Sequence, residues 1–345
     1  MIVLIRNFIN HGMAFFAIIF LFLGFLSGCC SVVTREYQVE ALKNASDSDK
    51  MKKIDEFRSV RIMQISDFHS NDFGKNEKGL LTKIRKVKPD IILLTGDIFE
   101  STMKGDKSLG NVDVMLAGIR TFYPSCPVYY VSGNHEYDFE KIQDCFDVLQ
   151  KYGVRILHDR SEVLEIRGLT LIFSGVFDPY DDLPENTKWW GDQKEKYRER
   201  VRLVAEDASR IRASLSESAT LPDAAAGQNE TSRFDTTLSV LVAHRPEYIK
   251  DYLKYDFDLI FAGHAHGGQW RLPFINGIYA PGQGMFPKFA GGRYDFYQAE
   301  LSKNHVDVLD AESCVLVVSR GLSYQRPKTI RVLNSPELVA VDIIY

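Results

Sequence analysis

The sequence has few cysteines, no excess of positive charge and little overall hydrophobicity. Five cysteines occur among 345 residues, and Cys29 and Cys30 lie together near the N-terminus. The other three form neither a disulfide framework nor a CxxC metal motif: Cys126, Cys145 and Cys314. We expect buried free thiols, with a Cys126–Cys145 pair as the alternative.

The charge and hydropathy exclude several classes of protein. A net charge of −4 provides no general field for polyanions, so we expect no nucleic-acid partner. A mean hydropathy of −0.17 excludes a protein with many membrane spans. With 45% hydrophobic residues, the chain is not mainly disordered and can bury a sizeable core. Phosphorylated small molecules remain suitable ligands where metal ions supply the positive charge.

An uncharged stretch covers residues 13–33. Residues 14–26 have the length of a signal-peptide hydrophobic region, whereas the entire stretch is long enough to cross a bilayer. We predict a signal peptide or membrane anchor over residues 1–28, a polar tether over 29–57 and a folded catalytic domain over 58–345.

The kind of membrane attachment has two interpretations. Leu26-Ser27-Gly28-Cys29 resembles the lipobox of bacterial lipoproteins, which implies lipidation of Cys29 and a domain on the outer face. The basic residues favour the opposite face, because only Arg6 precedes the stretch and five follow it closely: Arg35, Lys43, Lys50, Lys52 and Lys53. We favour the lipoprotein, with an uncleaved anchor and a cytoplasmic domain as the alternative.

From residue 60, short apolar runs alternate with helix-like stretches. This alternation predicts parallel strands connected by helices, and the later runs, joined by Gly/Pro-rich turns, predict an additional antiparallel portion. Residues 216–236, rich in Ser, Ala, Asp and Thr, predict a mobile surface insertion.

Metal-binding residue types collect where these apolar runs end. Asp67 and His69 follow the first run, and Asp97 follows the second. Later runs are followed by Asn134, His135, His244, His264 and His266. Because ligands bind beyond the carboxyl ends of strands in open α/β sheets, the pattern predicts one convergent site.

In order, these blocks resemble the calcineurin-like metallophosphoesterase family: Asp67-Phe68-His69, Gly96-Asp97, Gly133-Asn134-His135-Glu136, His244 and Gly263-His264-Ala265-His266. The resemblance implies a four-layer α/β/β/α sandwich of two mixed sheets and a two-metal centre. It assigns Asp67, His69 and His266 to the first ion, and Asn134, His244 and His264 to the second. Asp97 would bridge both ions.

The residue chemistry fits those roles. Carboxylate, amide and imidazole ligands suit Mn, Fe or Zn, and the choice among these metals stays open. Two ions lower the pKa of a bridging water, so that hydroxide attacks a phosphoester or pyrophosphate. His135 is not needed as a ligand and is placed to stabilise the transition state or protonate the leaving oxygen.

Departures from the family pattern narrow the branch. Asp97-Ile98-Phe99-Glu100 lacks both the Asp-Arg-Gly of Ser/Thr protein phosphatases and the tyrosine ligand of purple acid phosphatases. Residues 244–246, 263–273 and 319–322 resemble a membrane-associated, YkuE-like bacterial branch. That branch includes pyrophosphatases of UDP-2,3-diacylglucosamine in lipid A synthesis, which is the alternative function. A second and weaker alternative is a metal-binding scaffold without catalytic activity.

We therefore expect a membrane-attached phosphohydrolase whose substrate is a phosphorylated small molecule or a lipid-linked phosphate. The oligomeric state stays open.

Residues 281–296 combine glycines with Phe286, Phe289, Tyr294 and Phe296. We favour a packed loop here, with an acyl-chain or membrane-contact surface as the alternative.

Overall fold

The computed structural model describes residues 31–41, 58–100, 105–138, 142–182, 191–220, 236–272, 274–297, 313–324 and 331–345. The strands are β1 (Val33–Glu40), β2 (Ser59–Ile65), β3 (Ile91–Thr95), β4 (Val128–Val131), β5 (Arg155–Ile156), β6 (Arg160–Ile166), β7 (Leu169–Gly175), β8 (Thr236–Val242), β9 (Leu259–Ala262), β10 (Tyr279–Ala280), β11 (Gly284–Met285), β12 (Gly292–Tyr297), β13 (Ser313–Val318) and β14 (Glu337–Ile344). The helices are α1 (Lys78–Val87), α2 (Gly105–Phe122), α3 (Ile142–Lys151), α4 (Gly191–Thr220) and α5 (Ile249–Tyr252).

Two mixed sheets form the centre of the protein, which confirms that part of the predicted fold. The first has the order β1-β14-β2-β3-β4-β5, and only its β14–β2 pair is antiparallel. The second has the order β12-β13-β9-β8-β7-β6, with antiparallel pairs at both ends. Strands β10 and β11 form a separate small hairpin.

Alternation along the strands explains the packing of the second sheet. In β7, Leu171 and Phe173 belong to the large core that also contains the first sheet. Between them, Ile172 belongs to a second core with Tyr197 and Val201 of α4. Because successive strand residues point to opposite faces, one face of this sheet packs on the first sheet and the other on α4. Helices α1, α2 and α3 connect successive parallel strands of the first sheet and pack into the large core.

The first strand corrects part of the predicted tether. Residues 33–40 form β1, an edge strand that pairs in parallel with β14. The sequence has few apolar residues here, but Tyr37 and Val39 alternate toward the core. The ion pair between Arg35 and Glu337 adds a side-chain contact to the ladder (2.8 Å). A polar edge strand is therefore difficult to distinguish from a tether in the sequence alone.

The remaining boundary predictions lie largely outside the described residues. These include the signal or anchor over residues 1–28, Cys29 and most of the predicted insertion, since α4 continues to Thr220 and β8 begins at Thr236. No helix within the described ranges is both long and apolar enough to cross a membrane. Within the described residues, Cys126, Cys145 and Cys314 form no disulfide.

Candidate metal centre

Strained loops at the strand ends carry the predicted ligands. Five of these residues have positive φ angles between 47° and 64°: Asp67, His69, Asp97, His264 and His266. Such backbone costs about 1 kcal/mol or more for a residue with a side chain. Hydrogen bonds between the first two loops maintain it: Asp67 N–H donates to Gly96 O (3.0 Å), and His69 N–H donates to Asp97 O (2.9 Å). Five of the fifteen non-glycine residues with positive φ in the described part of the chain are thus predicted ligands.

The first cluster joins the loops after β2, β3 and β9. Asp67, His69, Asp97 and His266 are buried, and each offers a ligand atom within 4.8 Å of the others. His69 Nε2 lies 3.5 Å from Asp97 Oδ2, and His266 Nε2 lies 3.7 Å from Asp67 Oδ1. A divalent cation fits such a set of two carboxylates and two imidazoles.

The second cluster shares Asp97 with the first. Its other members are His244, after β8, and His264, after β9. His244 Nε2 lies 3.3 Å from Asp97 Oδ2 and 3.2 Å from His264 Nδ1. His244 Nδ1–H donates to the Thr95 carbonyl at 2.8 Å, so Nε2 is the ring nitrogen that faces the cluster.

Asn134 and His135 follow β4 at the border of these clusters. Asn134 Oδ1 is buried and makes no hydrogen bond in the described structure, as expected of an oxygen that ligates a cation. His135 N–H donates to Asp97 Oδ1 (2.9 Å), and the His135 side chain is 21% exposed. His135 is therefore accessible from outside, whereas Asp97 is buried.

The charges around Asp97 favour the ionised form of its carboxylate. Burial opposes its ionisation, but His244, His135 and His69 together hold the pKa of Asp97 well below its ordinary value. Burial disfavours the charged form of His264, and the adjacent Arg245 adds to this, so the pKa of His264 is well below its ordinary value. Asp97 is thus held as an anion and His264 as a neutral imidazole, which are protonation states that metal ligation requires. The pKa of His244 is raised to about 10, because the attraction of the Asp97 carboxylate outweighs the opposing effect of burial.

The glutamate of the Gly-Asn-His-Glu block supports the Asp97 loop. The Glu136 carboxylate accepts hydrogen bonds from the backbone N–H groups of Ile98 (2.7 Å) and Gly133 (2.9 Å). It also accepts longer bonds from Asp97 and Phe99. Two loops that carry metal ligands are therefore fixed to one carboxylate.

Close backbone approaches leave no room for larger residues beside the carboxylates. A Cβ atom at Gly133 would lie 2.2 Å from Asp97 Oδ1. At Gly321, which follows β13 with a φ of 72°, a Cβ would lie 2.6 Å from Asp67 Cβ. Both positions therefore require glycine.

The structure also shows supporting residues to which the sequence assigned no role. Glu100 Oε2 lies 3.2 Å from His69 Nδ1, and its other oxygen lies 3.7 Å from His135 Nδ1. Arg245 binds Asp178 through two contacts of 2.5 and 3.1 Å, and its Nη1 lies 3.5 Å from His264 Nε2. Carboxylates behind ligating histidines orient the imidazole rings, as Glu100 is placed to do for His69. The sequence signals were the position of Glu100 three residues after Asp97 and the position of Arg245 in the 244–246 block.

The fold and this buried cluster define a metal-dependent phosphoesterase. The model of the calcineurin-like phosphoesterase family matches residues 60–268, so the chain belongs to that family, as its motifs predicted. An uncharacterized metallophosphoesterase of Aquifex aeolicus is 25% identical over 312 residues, which cover 89% of this chain and 92% of that protein.

Two further relatives are similar over most of their length. The uncharacterized metallophosphoesterase YkuE of Bacillus subtilis is 25% identical over 83% of this chain and 80% of its own. The UDP-2,3-diacylglucosamine pyrophosphatase LpxG of Chlamydia muridarum is 25% identical over 85% of this chain and 86% of its own.

Proposed function

We propose that this chain is a dinuclear phosphohydrolase in which Asp97 is shared between two sets of metal ligands. One set is Asp67, His69 and His266, and the other is Asn134, His244 and His264. The position of Asp97 carries the proposal, because its Oδ2 lies 3.5 Å from His69 Nε2 and 3.3 Å from His244 Nε2. When bound, two divalent ions of Mn, Fe or Zn supply an attacking hydroxide at neutral pH and neutralise phosphoryl charge.

The protein's own residues position the substrate and the leaving group. His135 Nε2 lies 4.0 Å from Asp97 Oδ2, at the partly exposed side of the cluster. From there the imidazole donates a hydrogen bond to a phosphoryl or leaving-group oxygen. Glu100 orients both His135 and His69 from behind. General acid–base groups in such positions contribute roughly 10²–10⁴-fold to the rate.

The proposed substrate is a phosphoester or pyrophosphate, with attachment to the membrane through the N-terminal stretch. The similarity to LpxG over most of both chains supports UDP-2,3-diacylglucosamine as the second candidate substrate. The two proposals differ in location, because that nucleotide-linked lipid is presented on the cytoplasmic face. A lipoprotein acylated at Cys29 would act on the outer face.

One experiment tests both proposals with the full chain in detergent micelles and Mn²⁺. The measurements are UMP release from UDP-2,3-diacylglucosamine, hydrolysis of a bis-aryl phosphodiester and bound metal. His135→Ala should retain the metal and lose roughly 10²–10⁴-fold in rate. The control is His158→Ala, because His158 lies outside the clusters and its side chain is 49% exposed.

The outcomes separate the candidates. UMP release that His135→Ala abolishes would assign the lipid pyrophosphatase activity. Diester cleavage without UMP release would favour a phosphodiesterase of the outer face. Metal binding without hydrolysis of either substrate would contradict the enzymatic proposal and favour a scaffold, and loss of metal from His135→Ala would contradict its non-ligand role.

A further inference from the structure

Exposed apolar side chains concentrate in one segment beside the metal centre. Of the eleven large hydrophobic residues that are exposed in the described part of the chain, seven lie between residues 270 and 286. Five of them are here called the apolar rim: Leu272, Phe274, Tyr279, Met285 and Phe286. Such a concentration on a soluble surface marks a contact with another apolar body.

Two members of the rim occupy backbone positions that disfavour them. Phe274 and Phe286 have φ angles of 70° and 55°, in the left-handed region that glycine and asparagine adopt more easily. Phe274 is fully exposed (107%) and Phe286 is 65% exposed, so packing within the described structure does not compensate for the strain. Large aromatic residues at these turns therefore indicate an external partner.

Hydrogen bonds hold the rim in place next to a predicted ligand. Ile278 N–H donates to Gly268 O (3.0 Å), in the turn that begins with His266. The Gln283 side chain forms two hydrogen bonds of 2.9 Å with the backbone of Phe289, which is itself buried. The rim is thus a fixed surface of the site edge, and the expectation of a packed loop holds for Phe289 rather than Phe286.

The sequence stretch that carries the rim contains cations and no carboxylate of its own, although Glu247 lies against Gly282 and Arg293 pairs with Asp295. No Asp or Glu occurs in the sequence between Asp258 and Asp295, although the chain as a whole has a net charge of −4. Arg271, Lys288 and Arg293 lie in the same stretch. The Arg271 guanidinium donates to the Gly267 and Asn276 carbonyls. An apolar surface with surrounding cations complements an anionic lipid bilayer.

The N-terminal strand contacts the stretch that carries the rim, because the Arg293 guanidinium donates to the Gln38 carbonyl of β1. Val33, the first residue of β1, pairs with Glu337, whose N–H donates to Gly321 O (3.1 Å). Gly321 in turn lies against Asp67 in the metal centre. The uncharged stretch that ends at Val33, predicted to be a membrane signal or anchor, therefore joins the domain at a strand pair that contacts the loop next to Asp67.

We propose that the apolar rim contacts the headgroup and upper acyl region of an anionic phospholipid bilayer. Phe274 and Phe286 enter the bilayer, and the cations of the stretch face the lipid phosphates. The metal centre then opens toward the membrane surface. This contact does not rest on the hydrolytic function proposed above, because a bilayer can bind the rim without any turnover.

The test uses the full chain in nanodiscs of phosphatidylcholine and phosphatidylglycerol with brominated acyl chains, which quench tryptophan at short range. Among the three tryptophans, Trp270 is the one in this segment, so the signal is the difference between the native chain and Trp270→Phe. We expect Trp270 to be quenched and Phe274→Ser/Phe286→Ser to reduce that quenching at least twofold. Leu203→Ser, at another exposed apolar residue (49%), should leave it unchanged.

The remaining outcomes would overturn the proposal. Unquenched Trp270 in nanodiscs would mean that the domain stands away from the bilayer. Equal quenching in the double-serine variant would mean that the rim does not make the contact, and equal quenching in phosphatidylcholine alone would remove the role of the cations. Concentration-dependent cross-links between the rims of two chains would assign the surface to a second copy. Thermal unfolding of each variant verifies that it is folded.

Discussion

Replacement of Gly321 by alanine tests whether the backbone after β13 fixes the position of Asp67. Gly321 has a φ of 72°, and an added Cβ would lie 2.6 Å from Asp67 Cβ and 2.9 Å from Asp67 Oδ2. The left-handed backbone alone costs an alanine about 1 kcal/mol. The overlap adds about 1–3 kcal/mol, because the carboxylate must move. We expect a total loss of about 2–4 kcal/mol in the free energy of unfolding, and ~10–100-fold weaker metal binding.

Gly284→Ala is the matched control, because Gly284 has nearly the same φ (74°) and no atom within 4 Å of its added Cβ. It carries the backbone cost alone, about 1 kcal/mol, and should bind metal as the native chain does. The assays are urea unfolding and calorimetric titration with Mn²⁺. Equal destabilisation and equal metal affinity in the two variants would refute the argument that Gly321 positions Asp67.

Three further predictions concern charge, thiol reactivity and metal. Asp178→Asn leaves Arg245, which is 4% exposed, without its bidentate partner, and should lower the urea-unfolding free energy by ~3–5 kcal/mol; a loss below ~1 kcal/mol would show that other groups neutralise it. Burial raises the pKa of Cys126 from about 9 to about 12. Because only the thiolate reacts, alkylation of Cys126 by iodoacetamide at pH 8 should be about a thousandfold slower than alkylation of an ordinary thiol. The rate should rise tenfold per pH unit up to pH 11. Cys126 is half-buried, unlike Cys145 and Cys314, and a fast reaction of native Cys126 would show that this partial burial does not protect it. Mn²⁺ at a hundredfold its dissociation constant should stabilise the folded protein by about 2.7 kcal/mol per site. The melting temperature should therefore rise, and a chelator should reverse the rise. An unchanged melting temperature would argue against a metal site that forms only in the folded chain.

The convergence of the site is predictable because it follows from local patterns. Apolar runs mark the strands, and parallel strands place the residues that follow them at one edge. Asp67, Asp97 and His244 are far apart in the sequence, yet each follows such a run. The family motifs then add roles that periodicity alone does not provide.

The supporting contacts are not predictable in the same way, because they depend on distances between loops. Asp178 follows β7 without any motif, and only the folded chain shows that it binds Arg245. Gly321 is one of 24 glycines in the sequence, and its contact with Asp67 depends on how the loop after β13 meets the loop after β2, where Leu322 and Ser323 N–H donate to the Ser66 and Asp67 carbonyls. The edge strand β1 was missed because alternation with so few apolar residues also suits a solvated segment.

The order β1-β14-β2 in the first sheet determines when this protein can finish folding. Among the described strands, β14 lies between β1 and β2, so Val33 finds its partner Glu337 only after residues 34–336 have been synthesised. Until then, the edge of β2 presents unpaired backbone groups to other chains. A chain that ends before β14 therefore has no strand to pair with β1, and β2 remains an unpaired edge of the first sheet. Removal of β14, which has only eight residues, should thus lower the solubility of the protein strongly.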